Sequence, residues 1–210
     1  MKERLKHDNP QRRRPTQSRS RATSCALQET FVRLLQEQEF EQIRIRELVE
    51  VAGVGLGTFY EYFASKEELA QVCLHFRTKE ILLAIQQCVV QYANQSAFDI
   101  ADAIIQAKIE LHRQHPQKWG KLYLLERHLT DRLAYEKMFS RFVEVWKKGL
   151  ETSSDWPTQI DAAHPAMILQ ASTYGIFAHR FIKANEPIDI DELTRHLTQM
   201  THGYLRAYIR

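Results

Sequence analysis

Within a dozen residues, Gly55-Leu-Gly-Thr-Phe-Tyr-Glu-Tyr-Phe-Ala-Ser-Lys66 brings together four hydroxyl-bearing side chains, two glycines and an ammonium group. Thr58, Tyr60 and Tyr62 can donate to phosphate oxygens, and Leu56 can meet a thymine methyl. Gly55 and Gly57 leave the start of the segment without bulk, as a backbone approaching a phosphate or base edge requires. Lys66 adds charge at the start of a following helix, where the helix dipole already favours an anion. These residues suit non-covalent recognition of a nucleic acid. Phe59 and Phe63, four apart, suit a core instead.

Covalent chemistry finds no comparable group. The chain has no Gly-rich phosphate loop, no Gly-x-Ser-x-Gly and no His-Glu-x-x-His. No Glu has a His three residues on, so the paired Glu-x-x-His motifs of a helical di-iron site are missing. His112 and His115 lie a turn apart before Pro116, where a helix end favours cations without any metal. No catalytic residue, metal or cofactor is expected.

The elements that must position the segment are helices. Two short ones, at about 44–51 and 55–62, are joined by a tight turn at Gly53. That position suits the left-handed conformation in which a helix ends without strain. Leu48 and Ala52 share a face of the first, and Val54 follows the turn as an apolar pin. A helix at about 17–38 precedes them with Leu27, Phe31, Leu34 and Leu35 on one side. Ser65 caps a helix that runs to about Tyr92, with Leu69, Val72, Phe76, Ile81 and Ile85 available for burial. This is the arrangement that places a helix in the DNA major groove. Arg44, just before the first motif helix, joins the set expected to face DNA.

The run Ala52-Gly-Val-Gly-Leu-Gly-Thr-Phe-Tyr-Glu-Tyr-Phe-Ala-Ser-Lys-Glu-Glu-Leu69 resembles the recognition helix and following helix of TetR-type transcriptional regulators. Their pattern runs Ala-Gly-Val-Ser-x-Gly-x-hydrophobic-Tyr-x-aromatic-Phe-x-x-Lys-x-x-Leu, and the resemblance covers residues 17–75. It implies an all-α chain with a basic arm (1–16), a three-helix DNA-binding domain (17–65, motif 44–63) and a helical ligand-binding and dimerisation domain (66–210). It also implies that Tyr60 contacts DNA and that the last two long helices form a homodimer. Three departures stand out. Gly55 replaces a Ser or Thr cap, a change of a few tenths of a kcal/mol. Arg44 replaces a Thr cap. Glu39 replaces a turn glycine, at about 1 kcal/mol if it is left-handed.

Composition agrees with a soluble globular protein: 26% charged, 44% apolar, and no apolar run near the roughly 18 residues of a membrane span. The N-terminus is basic without an apolar segment behind it, so it does not read as a signal peptide. Cys25, Cys73 and Cys88 form no Cys-x-x-Cys pair, fitting buried or free thiols in a reducing cytoplasm. Residues 1–25 carry a net +6, residues 26–75 a net −5, and the whole chain +3. The positive charge is an arm. Arg12, Arg13 and Arg14 in it suit phosphate tracking or entry into the minor groove.

The remaining helices are expected at about 97–115, 119–126, 131–150, 165–183 and 189–209. Ser96 with Asp99 caps the first of these, whose apolar stripe includes Ile100, Ile104 and Leu111. The helix at 165–183 is apolar most of the way round and so must be covered on several sides. The small residues Ala171, Gly175 and Ala178 suit a second subunit there, with Leu197, Tyr204 and Tyr208 of the last helix completing a four-helix contact across a twofold axis. Trp119, Tyr123, Phe142, Trp146, Tyr174 and Phe177 suit either an ordinary core or a pocket for a small apolar or aromatic effector. The expected function is a homodimeric regulator of double-stranded DNA at an inverted-repeat operator, a repressor released by that effector. The alternatives are an effector-free architectural DNA binder or, further off, a helical small-molecule-binding protein or enzyme.

Overall fold

The computed structural model describes residues 18–183 and 188–209, which form nine helices and no strand. They are α1 (Ser18–Glu37), α2 (Ile45–Val51), α3 (Leu56–Tyr62), α4 (Lys66–Gln91), α5 (Ala97–Arg113), α6 (Pro116–Leu129), α7 (Arg132–Glu151), α8 (Ala163–Ile182) and α9 (Ile190–Leu205). Two compact units meet within α4, the first ending at Val72 and the second beginning at Cys73.

In the first unit α1 buries Leu27, Phe31, Leu34 and Leu35, as its spacing requires. Phe40 and Ile43 from the α1–α2 turn, Leu48 and Val49 of α2, Phe59 of α3, and Phe63 complete that core. Gln38 Nε2 donates to Glu47 Oε1 at 2.8 Å, tying the end of α1 to α2. The strain considered at Glu39 does not arise. The turn closes by Gln42 N–H to the Glu39 carbonyl at 3.0 Å, and Asn94 is the non-glycine residue with a positive φ (68°) among the described residues. Asparagine tolerates that conformation better than a longer side chain does.

In the second unit α8 packs on α6 and α7, and α5 packs on α7 and α9. Ser96 caps α5 by accepting the Asp99 N–H, and Asp131 and Asp189 cap α7 and α9 in the same way. Gly149 lies where α7 approaches α5 and α4: a Cβ there would stand 3.0 Å from Ile100 and 3.4 Å from Val89. A glycine inside a helix costs about 0.5–1 kcal/mol, and this close crossing explains it. Helix α6 begins at Pro116, three residues before the sequence expectation, because proline suits the first helical turn. Phe76, expected in the core, is half exposed. Among the described residues no helix is long and apolar enough to cross a membrane.

Candidate nucleic-acid interface and cavity

The turn between α2 and α3 closes α2 with two backbone bonds. Val54 N–H reaches the Val49 carbonyl (3.0 Å) and Gly53 N–H the Glu50 carbonyl (3.1 Å), while Gly53 sits at φ +67°. This is the paired 6→1 and 5→2 pattern of a Schellman end, which needs a left-handed residue at Gly53. Arg44 and Gly55 stand as N-caps of α2 and α3 in extended conformation, neither giving a side-chain cap.

Helix α3 is two-faced. Phe59 is fully buried, with Phe63 just beyond the helix also in the core. On the other side Leu56 is 41% and Tyr60 49% exposed, beside exposed Gly55 and Gly57. A Cβ at Gly57 would meet nothing within 4 Å, so packing inside the chain does not require glycine there. The Tyr60 ring stands edge-on to Phe59 at 5.3 Å, leaving its hydroxyl outward of the core. Thr58 and Tyr62 are half-buried, and the Tyr62 hydroxyl donates to Ser20 Oγ of α1 at 3.1 Å. Arg44 is exposed. Arg12, Arg13 and Arg14 lie outside the described residues.

Lys66 takes a different part from the one its sequence position suggested. Its ammonium donates to the carbonyls of Phe40 (2.6 Å) and Ile43 (2.9 Å) and lies 4.3 Å from the centre of the Phe40 ring. An ammonium has three donors and here spends them on the α1–α2 turn. Lys66 thus holds the turn that sets the entry of α2, and its phosphate contact is withdrawn. Ser65 caps α4 as expected, accepting the Glu68 N–H at 3.2 Å.

Arg44→Thr should separate stability from binding at this site. The backbone at 44 already has cap geometry, so a threonine hydroxyl should stabilise the first unit by about 0.5–1 kcal/mol. Losing the guanidinium should at the same time lower DNA affinity and its salt slope. Urea melts read against binding titrations at several salt concentrations test both halves.

In the second unit five of the six aromatic residues considered for a pocket are solid core. Trp119, Tyr123, Phe142, Trp146 and Phe177 are each at most 6% exposed. Trp119 Nε1 donates to the Leu111 carbonyl (2.8 Å), and Trp146 Nε1 to Gln170 Oε1 (3.3 Å). His112 stacks on Trp119 with centroids 4.0 Å apart. Its Nδ1 lies 2.6 Å from the Lys108 carbonyl and so carries the proton, leaving Nε2 to accept from the Tyr123 hydroxyl at 3.0 Å. Both ring nitrogens are engaged, and burial pulls the imidazole down to about 3.

Tyr174 is the exception: it borders a cavity of about 410 Å³. Helix α6 contributes Glu126 and Arg127 to its wall, the α6–α7 turn Thr130 and Asp131, and α7 Arg132 and Tyr135. Glu126 is 3% exposed, forms a buried ion pair with Arg77 of α4 and accepts the Tyr174 hydroxyl bond. The guanidinium also faces the Tyr123 ring at 5.0 Å. Removing one partner of such a pair typically costs about 3–5 kcal/mol, whereas a further bond from a neutral donor to the carboxylate is worth about 1.5–3 kcal/mol. Nearby Lys108 is 4% exposed, donates to Thr173 Oγ1 at 3.3 Å, and is drawn down to about 7 by burial.

Arg77, Lys108 and Glu126 were not singled out from sequence. Each does occupy a core register: Arg77 lies between Leu74 and Ile81, Lys108 follows Ile104 and Ile105, and Glu126 follows Leu122 and Tyr123. A charge in an apolar stripe is the signal that was available.

The expected dimer surface divides. Ala171 and Gly175 are exposed on α8, and Tyr204 and Tyr208 are half-buried with their hydroxyls 3.0 Å apart. Ala178 and Leu197 are fully buried inside the chain and belong to its own core, a correction to the expectation. Gly203 on α9, not anticipated, is exposed with nothing within 4 Å of a Cβ.

A two-helix DNA-reading motif on a three-helix head, followed by a helical body, defines the class as a helix-turn-helix regulator. The sequence model described as "Bacterial regulatory proteins, tetR family" matches residues 29–73. The fold is similar to SmeT, the repressor of the Stenotrophomonas maltophilia multidrug efflux pump SmeDEF (15% identity, TM-score 0.70, covering 90% of this chain and 93% of that one). It is equally similar to the fatty acid degradation regulator FadR from Bacillus halodurans (16%, 0.70, 90% and 97%). A TetR-family regulator from Streptomyces coelicolor follows (13%, 0.63, 89% and 99%). No curated protein matches the chain. The chain carries the TetR-family N-terminal region and has the fold of TetR-family transcriptional regulators.

Proposed function

We propose that the protein is a cytoplasmic, sequence-specific DNA-binding regulator that binds an inverted-repeat operator as a homodimer and is released from it by a small molecule, acting as a repressor. The observation that carries this reading is the outer face of α3. Gly55, Leu56, Gly57 and Tyr60 are exposed together, and the glycine at 57 serves no internal contact. A thin, exposed helix start is what close approach to base edges requires. In the proposed mechanism an effector in the second unit favours one setting of α4 and so changes the spacing of two recognition helices, which must match successive major grooves about 34–36 Å apart.

Tyr60→Ala should weaken binding to a selected inverted-repeat duplex by about 1–3 kcal/mol, with little change for random DNA. Because Tyr60 is half exposed, the fold should survive the change. Equal affinity of variant and parent in a fluorescence-anisotropy titration would count against the assignment. Deleting residues 1–14 should flatten the salt dependence if Arg12, Arg13 and Arg14 neutralise phosphates. The solid packing of the five aromatic residues favours a second reading, an effector-free DNA binder. The cavity beside Tyr174 is what argues for an effector.

A further inference from the structure

The cavity beside Tyr174 is polar at its floor, and its charges are unequal in depth. Asp131, Arg127 and Arg132 are exposed, Asp131 is engaged as the cap of α7, and Arg132 pairs with Glu136 at 2.9 Å. Exposed charges are screened by water, whereas the buried Glu126 carboxylate acts in a low-dielectric setting. That carboxylate already holds Arg77 and Tyr174, which makes the buried pair neutral as a unit. An anionic ligand would face Glu126 directly. A cationic one would compete with Arg77 and leave a buried guanidinium unpaired. A neutral donor does neither, since a carboxylate offers about four lone-pair sites and two are in use. The rings of Tyr135 and Tyr174, edge to face at 6.2 Å, give the same cavity aromatic walls.

We propose that this cavity takes an uncharged aromatic hydrogen-bond donor, a phenol or aryl alcohol, whose hydroxyl binds the Glu126 carboxylate between Tyr135 and Tyr174. This deepens the effector-released reading and rests on it only for the consequence at DNA. Glu126 bonds both the ligand and Arg77 of α4, so a bound hydroxyl draws the carboxylate partly away from α4 and changes operator affinity.

The test uses the full-length protein at neutral pH with four probes of one shape: 2-naphthol, 2-methoxynaphthalene, 2-naphthoate and 2-naphthylmethylammonium. Calorimetric titration should show 2-naphthol binding on the order of tenfold tighter than its methyl ether and than either ion, the worth of one bond to a charged acceptor. The double variant Arg77→Met/Glu126→Met removes the ion pair as a unit and should abolish that preference while still binding the methyl ether. Should it prove unstable, Arg77→Gln/Glu126→Gln replaces both charges by amides that can still pair, leaves no buried charge alone, and should reduce the preference. Tightest binding of the naphthoate or of the ammonium, binding of none of the four, or an undiminished preference for naphthol in the variants would overturn the proposal. Operator binding without ligand tests the regulator reading separately. Naphthol binding that leaves operator affinity unchanged overturns the coupling to α4 while the ligand class stands.

Discussion

Gly175→Glu should give a folded monomer that has lost operator binding. Gly175 is exposed on α8, and a side chain there meets nothing within 4 Å inside the chain. Exchanging a helical glycine for glutamate should even stabilise the isolated chain, by about 0.5–1 kcal/mol. In a dimer closed over the small-residue face of α8, the same carboxylate is buried without a partner and defeats association. Losing the second half-site then removes most of the specific affinity, since each subunit reads one half of an inverted repeat. Sedimentation velocity and operator titration on one sample check both outcomes. A variant that stays dimeric and binds normally would move the interface elsewhere, and a monomeric parent protein would remove its basis.

Stability should rise from pH 7 to pH 8.5, and Lys108→Met should remove the rise. Burial draws Lys108 down to about 7, against about 10.4 in an unfolded chain. Between these values the unfolded state binds more protons than the folded one, so folding is favoured as pH increases. One proton is worth about 1.4 kcal/mol per pH unit, giving up to about 2 kcal/mol over this window. His112, drawn down to about 3 by burial, acts in the same sense at lower pH, between about 3 and 6.5. Cys73 opposes the trend above about pH 8.5, because burial pushes its thiol up to about 12 and the unfolded thiol ionises first. The ammonium of Lys108 faces Thr173 and the Phe177 ring, so a methionine there keeps the apolar contact. Urea melts across the pH range should therefore show a raised, flat profile for the variant. An unchanged slope would show that Lys108 does not carry the effect.

The helix-turn-helix was legible in residue order because its determinants are local. Gly53 must be left-handed to end α2, Ser65 must cap α4, and Phe59 and Phe63 recur at the spacing of one helical face. Each of these is a statement about neighbours within a few residues, and periodicity and turn chemistry report on that range. The caps at Ser96, Asp131 and Asp189 belong to the same range, although only the first was anticipated as a capping pair.

What tertiary structure alone decided concerns partners far apart in the chain. By residue order Lys66 adds charge at a helix start, yet carbonyls more than twenty residues earlier take its ammonium. The aromatic residues of the second unit suit a core or a pocket by residue order alone, because periodicity shows which face is apolar and not whether the space opposite is filled. Packing filled it around Trp119 and Trp146 and left room beside Tyr174. Arg77 and Glu126 are forty-nine residues apart and meet only when α4 and α6 are brought together. Residue order can place a charge in an apolar stripe, but the burial that makes it consequential comes from the elements packed against it.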